Sequence, residues 1–201
     1  MTSRTIRLAA ALAVIAALSA CTTAADGTPR PAPGGETPDT STSSSSPTST
    51  SDEAPRVASP LDADAFVAEP CSSLTDEQLT SFNVGEGKPQ GGENLPPGCG
   101  WFGDSGAISV GWLAQNKNGL ADTYRRKELD AYFIETTVDG YPAVFADATD
   151  ERSTGVCGIV VGVSDTMTFY AQVSDGPVGD AACDKAEQVA SATLTTVKAG
   201  S

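Results

Sequence analysis

The five cysteines constrain this chain more than any other residue type, because Cys21 stands alone near the start while Cys71, Cys99, Cys157 and Cys183 all fall in the later part. Four cysteines in an oxidising compartment form two disulfides by default, and a sequence leaves three connectivities open. Pairing Cys71 with Cys99 and Cys157 with Cys183 is favoured, because each pair then brackets one contiguous structural unit. Closing loops of that length stabilises a domain by roughly 3 kcal/mol each in the chain-entropy model. A four-cysteine zinc site is disfavoured, since no C-x-x-C pair is present.

The compartment itself is set by the first twenty residues. Arg4 and Arg7 precede an apolar run over 8–18, and the small pair Ser19 and Ala20 stands directly before Cys21. This is the pattern of an export signal, and the run is well short of the roughly 20 residues a membrane span needs. Leu18-Ser19-Ala20-Cys21 matches the lipobox read by lipoprotein signal peptidase, so 1–20 is expected to be removed and Cys21 to be acylated as the new first residue. The expected location is therefore the outer face of the cytoplasmic membrane, with the lipid anchor as the membrane partner. More than one acyl chain makes such anchoring stable.

From 22 to 60, 26 of 39 residues are Ser, Thr, Pro or Gly, and none is aromatic. Such a stretch cannot bury enough apolar surface to offset the entropy of ordering, so 21–60 is expected to be a lipidated cysteine plus a disordered tether. A tether of this length has a root-mean-square reach of about 35 Å. Its composition is also that of O-glycosylated stalks. All twelve aromatics lie from Phe66 to Tyr170, which places one folded domain over 61–201.

Within that domain Thr75-Asp76-Glu77-Gln78 forms a capping box, with Leu74 and Leu79 at staple positions, predicting a helix to about Phe82. Ala182, Ala186, Val189, Ala190, Thr193, Leu194 and Val197 recur at helical spacing between Asp180 as N-cap and Gly200 as stop. A weaker pattern over 118–129 carries Leu120, Tyr124 and Leu129, together with the domain's one basic run, Arg125-Arg126-Lys127. Between these helices the period changes to two. A hairpin is predicted over 99–110, a second over 133–138 and 141–146 across the type I′ dipeptide Asp139-Gly140, and a third over 156–163 and 167–173. Pro142 suits an edge position. The segment 85–98, rich in Gly and Pro, is expected to be a long contact loop offering Lys88, Gln90 and Asn94. Helix, two strands, helix, four strands, helix is the order of an α+β fold: an antiparallel sheet of about six strands, two to three helices and two disulfides.

The chain contains no histidine, which excludes Ser-His-Asp and Cys-His catalysis and any imidazole ligand. No G-x-S-x-G elbow, S-x-x-K, P-loop or dinucleotide fingerprint is present either, so no catalytic residue, metal or cofactor is assigned. Carboxylates remain for acid–base work: Asp147, Asp150 and Glu151 after the Tyr141 strand, or Asp175 and Asp180. Their favoured reading is a solvated acidic loop, and calcium binding is disfavoured without an EF-hand pattern. Trp101 and Trp112 could line a groove, but on alternating strand positions core packing is favoured. Loss of Arg4 and Arg7 leaves 10 basic against 26 acidic residues, a net charge of −16 that repels nucleic acid and anionic headgroups.

Taken together, the lipobox, the tether, Pro70-Cys71-Ser72-Ser73-Leu74-Thr75, Cys99-Gly100-Trp101, Val138-Asp139-Gly140-Tyr141-Pro142-Ala143-Val144, Cys157 and Asp180-Ala181-Ala182-Cys183 resemble actinobacterial lipoproteins of the domain-of-unknown-function 3558 family. The resemblance covers the whole domain and implies a disulfide-containing envelope domain without an activity to carry over. The order of elements also looks like the Mog1/PsbP-like and actinobacterial kinase sensor-domain architectures, and topology alone does not define function. The leading expectation is a non-catalytic envelope module that binds an unknown envelope protein or small ligand. The alternatives are a carboxylate-dependent enzyme of cell-wall glycan and an envelope sensor domain.

Overall fold

The structure is a computed structural model that describes residues 53–200. The expected signal segment 1–20, Cys21 and most of the expected tether lie outside the described residues. The chain runs α1 (Asp64–Ala68), a 3₁₀ turn (Pro70–Ser73), α2 (Asp76–Phe82), β1 (Lys88–Gly92), β2 (Leu95–Gly103), β3 (Gly106–Trp112) and α3 (Leu120–Tyr124). It continues through β4 (Tyr132–Val138), β5 (Tyr141–Asp147), β6 (Cys157–Ser164), β7 (Met167–Ser174) and α4 (Asp180–Gly200). All strands belong to one antiparallel sheet of order β1-β2-β3-β7-β6-β5-β4. Two meanders, β1 to β3 and β4 to β7, are thus zipped together along β3 and β7, and the last strand in sequence is the central one.

The predicted turns and caps form as their chemistry requires. Asp139 (φ 49°) and Gly140 (φ 85°) both take the positive φ of a type I′ turn, setting the register Val138 to Tyr141. Thr75 Oγ1 accepts from the Gln78 backbone N–H, and Gln78 Oε1 accepts from the Thr75 N–H at 2.7 Å, completing the capping box. Asn83 closes α2 in the left-handed conformation.

The sheet has seven strands where about six are expected, and four helices where two to three are. The extra strand, β1, falls inside the presumed loop over 85–98. Its sequence, Lys-Pro-Gln-Gly-Gly, is exposed throughout and carries no apolar alternation, so only its pairing with β2 (Lys88 to Gly100, Gln90 to Gly98) identifies it. The helix expected over 118–129 stops at Tyr124 and gives way to a 3₁₀ turn at Lys127–Leu129. Leu120 and Tyr124 are buried as the pattern requires, whereas Leu129 is exposed. Pro142 lies in an internal strand, one residue before the register with β6 begins at Ala143, so its missing N–H breaks no bond in that ladder.

The two faces of the sheet are unequal. One carries Trp101, Ile108, Val110, Trp112, Ile159, Val161, Phe169 and Val173, all buried beneath α1, α2 and α4. Helix α4 buries the seven residues its periodicity marks, and its alanines allow close approach to the sheet. Trp112 packs between Phe66 and Phe169, with ring centroids 6.0 and 5.2 Å away, and its Nε1 donates to the buried Ser73 Oγ at 3.1 Å. Disulfides Cys71–Cys99 and Cys157–Cys183 realise the favoured connectivity, the first tying the 3₁₀ turn to β2 and the second tying β6 to α4. Composition puts the start of the domain at Leu61, yet Val57 is already buried and its N–H donates to Asp165 Oδ1 at 3.1 Å. Among the described residues no helix is long and apolar enough to cross a membrane.

Candidate functional site

The other face of the sheet is only partly covered. At the β4–β5 end α3 lays Leu120 and Tyr124 against Phe133, Val144 and Val160, with Tyr124 and Phe133 in edge contact at 4.9 Å. Towards β1 and β2 the outward positions of the sheet's strands become mostly small or polar. Register places Gly100 and Phe102 of β2, Ala107, Ser109 and Gly111 of β3, and Tyr170, Gln172 and Ser174 of β7 on this face.

Two hollows lie here. The larger, about 470 Å³, is bounded by Gln90, Phe102, Ser109, Tyr170, Gln172 and Asp175 among others. The second, about 370 Å³, sits between β5, β6, β7 and the end of α3, and includes Arg126, Asp130 and Asp147. Tyr170 and Gln172 line both, so the two hollows adjoin at β7 and together make up a groove region that crosses the strands. Volumes of this size are those of small-ligand sites.

Glycines shape its floor. A Cβ at Gly111 would fall 2.1 Å from the Tyr170 ring, so the ring lies directly on the β3 backbone. A Cβ at Gly100 would fall 2.2 Å from the Gln90 side-chain nitrogen, so that amide likewise lies flat over β2. Burial pushes the Tyr170 phenol up, keeping it a neutral donor and acceptor. Phe102 is 49% exposed at the rim, with Lys88 Nζ 5.3 Å from its ring centroid.

Asp130, in the second hollow, carries a perturbed carboxyl. Burial raises its pKa, Arg126 opposes this and the Asp147 charge adds to it, while its Oδ2 is buried without a hydrogen-bond partner. Asp150 behaves oppositely. Arg152 donates to it from Nε at 2.8 Å and Nη2 at 2.6 Å, and holds it down to about 2.

The residues singled out by sequence are therefore redistributed. Lys88, Gln90, Asp147 and Asp175 reach the groove, whereas Asn94 sits in the exposed β1–β2 turn, Asp180 opens α4, and Trp101 and Trp112 belong to the core. The basic run disperses: Arg125 pairs with Asp122, Arg126 lines the second hollow, and Lys127 pairs with Glu135 at 3.7 Å. Among the described residues no group of three or more Cys, Asp or Glu is placed to hold a metal ion, so Asp147, Asp150 and Glu151 do not assemble into a site. Phe102, Ser109, Asp130, Tyr170 and Gln172 escaped the sequence reading. The polar outward positions of β3 and β7 were visible as alternation, but that these strands are neighbours depends on the sheet order.

Fold and groove define a class: a disulfide-stapled α+β domain whose single sheet is packed by helices on one face and largely open on the other. Within that class the chain belongs to the family described as Protein of unknown function (DUF3558), whose model matches residues 16–196. No curated protein and no solved structure matches the chain.

Proposed function

We propose that this protein is a lipoprotein of the outer face of the cytoplasmic membrane, anchored through acylated Cys21 once the signal peptide 1–20 is removed, and that its domain acts by binding a ligand or envelope partner in the groove of the open sheet face. The groove carries this reading: two aromatics, two amides and two serine hydroxyls line one hollow of about 470 Å³. The lipobox and the Ser/Thr/Pro composition of the tether support the anchoring.

Two experiments test the two halves. Cys21→Ala should leave the protein unprocessed or release it from the membrane, and palmitate labelling that persists in this variant would sink the anchor. A photo-crosslinking residue at Ser109, in intact envelopes, should give an adduct that the same residue at Asp184 on α4 does not. Equal or absent adducts would sink the groove.

A second reading, a carboxylate-dependent glycan enzyme, has one observation in its favour: Asp130, raised by burial, shares a hollow with Asp147. It requires Asp130→Asn to abolish glycan cleavage by the purified protein. Binding that survives without any cleavage in the wild type removes it.

A further inference from the structure

We propose that the ligand of this groove is a neutral glycan chain lying across the strands, an assignment that rests on the binding reading above. The direction of the groove comes first. Its lining passes from Phe102 on β2 through Ser109 on β3 and Gln172 on β7 to Gly158 on β6. At about 4.8 Å per strand that is about 14 Å, an oligomer's length rather than a single ring's.

The backbone cannot read such a ligand. Strands β2, β3, β7 and β6 are paired with one another along this stretch, so their N–H and C=O groups are committed to the ladders. A peptide adding as a strand needs a free edge, and the groove floor from β2 to β6 has none, the edges of the sheet being β1 and β4. Recognition falls to side chains alone, and Gln90, Gln172, Ser109, Ser174 and Tyr170 each both donate and accept. Sugar hydroxyls have the same dual character, so each such contact leaves neither partner unsatisfied.

Charge narrows the class. No lysine or arginine lines the larger hollow, and Asp104 and Asp175 stand at one end of it, within a chain whose net charge is strongly negative. In that hollow an anionic ligand would meet a repulsive field and no lining cation, while Arg126 in the second hollow stands beside Asp130 and Lys88 at the rim lies over the Phe102 ring. Asp104 and Asp175 instead accept from hydroxyls. The apolar component is aromatic and flat: the Tyr170 ring rests on Gly111, and Phe102 stands half-exposed at the rim, offering faces for the C–H side of a sugar ring.

The test uses full-length protein in detergent micelles and saturation-transfer NMR on N-acetylchitohexaose, cellohexaose and mannohexaose, with hexalysine and hexaglutamate as comparators. At least one neutral hexasaccharide should receive saturation. Its affinity should fall about fivefold or more in both Tyr170→Ala and Gln172→Ala, since each loses at least one hydrogen bond, and be unchanged in Glu187→Ala on α4. Unaltered circular dichroism certifies that the variants fold. Saturation of none of the three sugars, or saturation that both groove variants leave intact, overturns the proposal. Saturation of hexalysine alone also overturns it while leaving a binding groove in place, whereas absence of a groove-specific adduct in the envelope crosslinking overturns the binding reading itself.

Discussion

Replacing Cys157 and Cys183 together by alanine should destabilise the domain by about 3.5 kcal/mol, because the bridge closes a loop of 26 residues and the chain-entropy relation converts that length directly. The bridge Cys71–Cys99, with a separation of 28, should be worth about 3.6 kcal/mol by the same relation. The two loops do not overlap in sequence, so the losses should add to about 7 kcal/mol, much of the roughly 5–15 kcal/mol that holds a domain folded. Each single-bridge variant should melt roughly 7–14 °C lower by circular dichroism. Urea titration should show a larger m value, because an uncrosslinked denatured chain exposes more surface. Cys157 and Cys99 are fully buried, so alanine also leaves a small void, and reduced wild-type protein, which keeps both sulfurs, separates that contribution. A loss under about 1 kcal/mol for either pair would refute the entropic reasoning. A loss far larger for Cys157–Cys183 than for Cys71–Cys99 would show instead that the bridge acts by seating α4 in the native state.

Ser73→Ala should cost about 1–3 kcal/mol, because it leaves the buried Trp112 Nε1 without its acceptor; adding Trp112→Phe should then cost less in that background than in wild type, as read in a double-mutant cycle of urea melts. Thr75→Ala should cost about 1 kcal/mol through the lost cap. Gln78→Ala should cost more, since its amide also donates to Ala192 O at 2.9 Å and accepts from Thr196 Oγ1 at 3.0 Å, joining α2 to α4. The Asp150 carboxyl is lowered from 3.8 to about 2 in the folded state, so its contribution is present above about pH 4 and lost as the pH falls through 2. Asp150→Asn should therefore flatten the stability profile in that window, and leave it unchanged near neutrality beyond a constant offset.

Local chemistry was legible and long-range order was not. Seven α4 positions follow from a 3.6-residue period, because burial on one side is what that period encodes. Asp139-Gly140 and Thr75 to Gln78 declare themselves because few residue pairs suit those geometries. Strand β1 was hidden because an edge strand with every residue exposed needs no apolar alternation. The early start of the packed chain was hidden because Val57 is a single apolar residue in a Pro- and Ser-rich stretch, and its value comes from Asp165, more than a hundred residues away. The groove is the extreme case. Ser109 and Gln172 are cross-strand partners only because the last strand inserts beside β3, and hydrophobic patterning says nothing about which strands are neighbours.

That same strand order separates stability from function. Because β7 is central, its inward residues Phe169, Ala171 and Val173 lie fully buried against the helices, while Tyr170, Gln172 and Ser174 between them face the groove. The sealed face holds both disulfide attachments to the sheet and the Trp112 stack, which is where substitutions are expensive. On the open face, away from the α3 cluster, Ser109, Gln172 and Ser174 have no part in either apolar cluster, so their replacement should cost little folding energy. Polar groups held on this central strand can therefore be replaced at little cost to the core. Gly111 is the exception on this face: a side chain there would meet the Tyr170 ring, so it couples the shape of the groove floor to the backbone of the sheet.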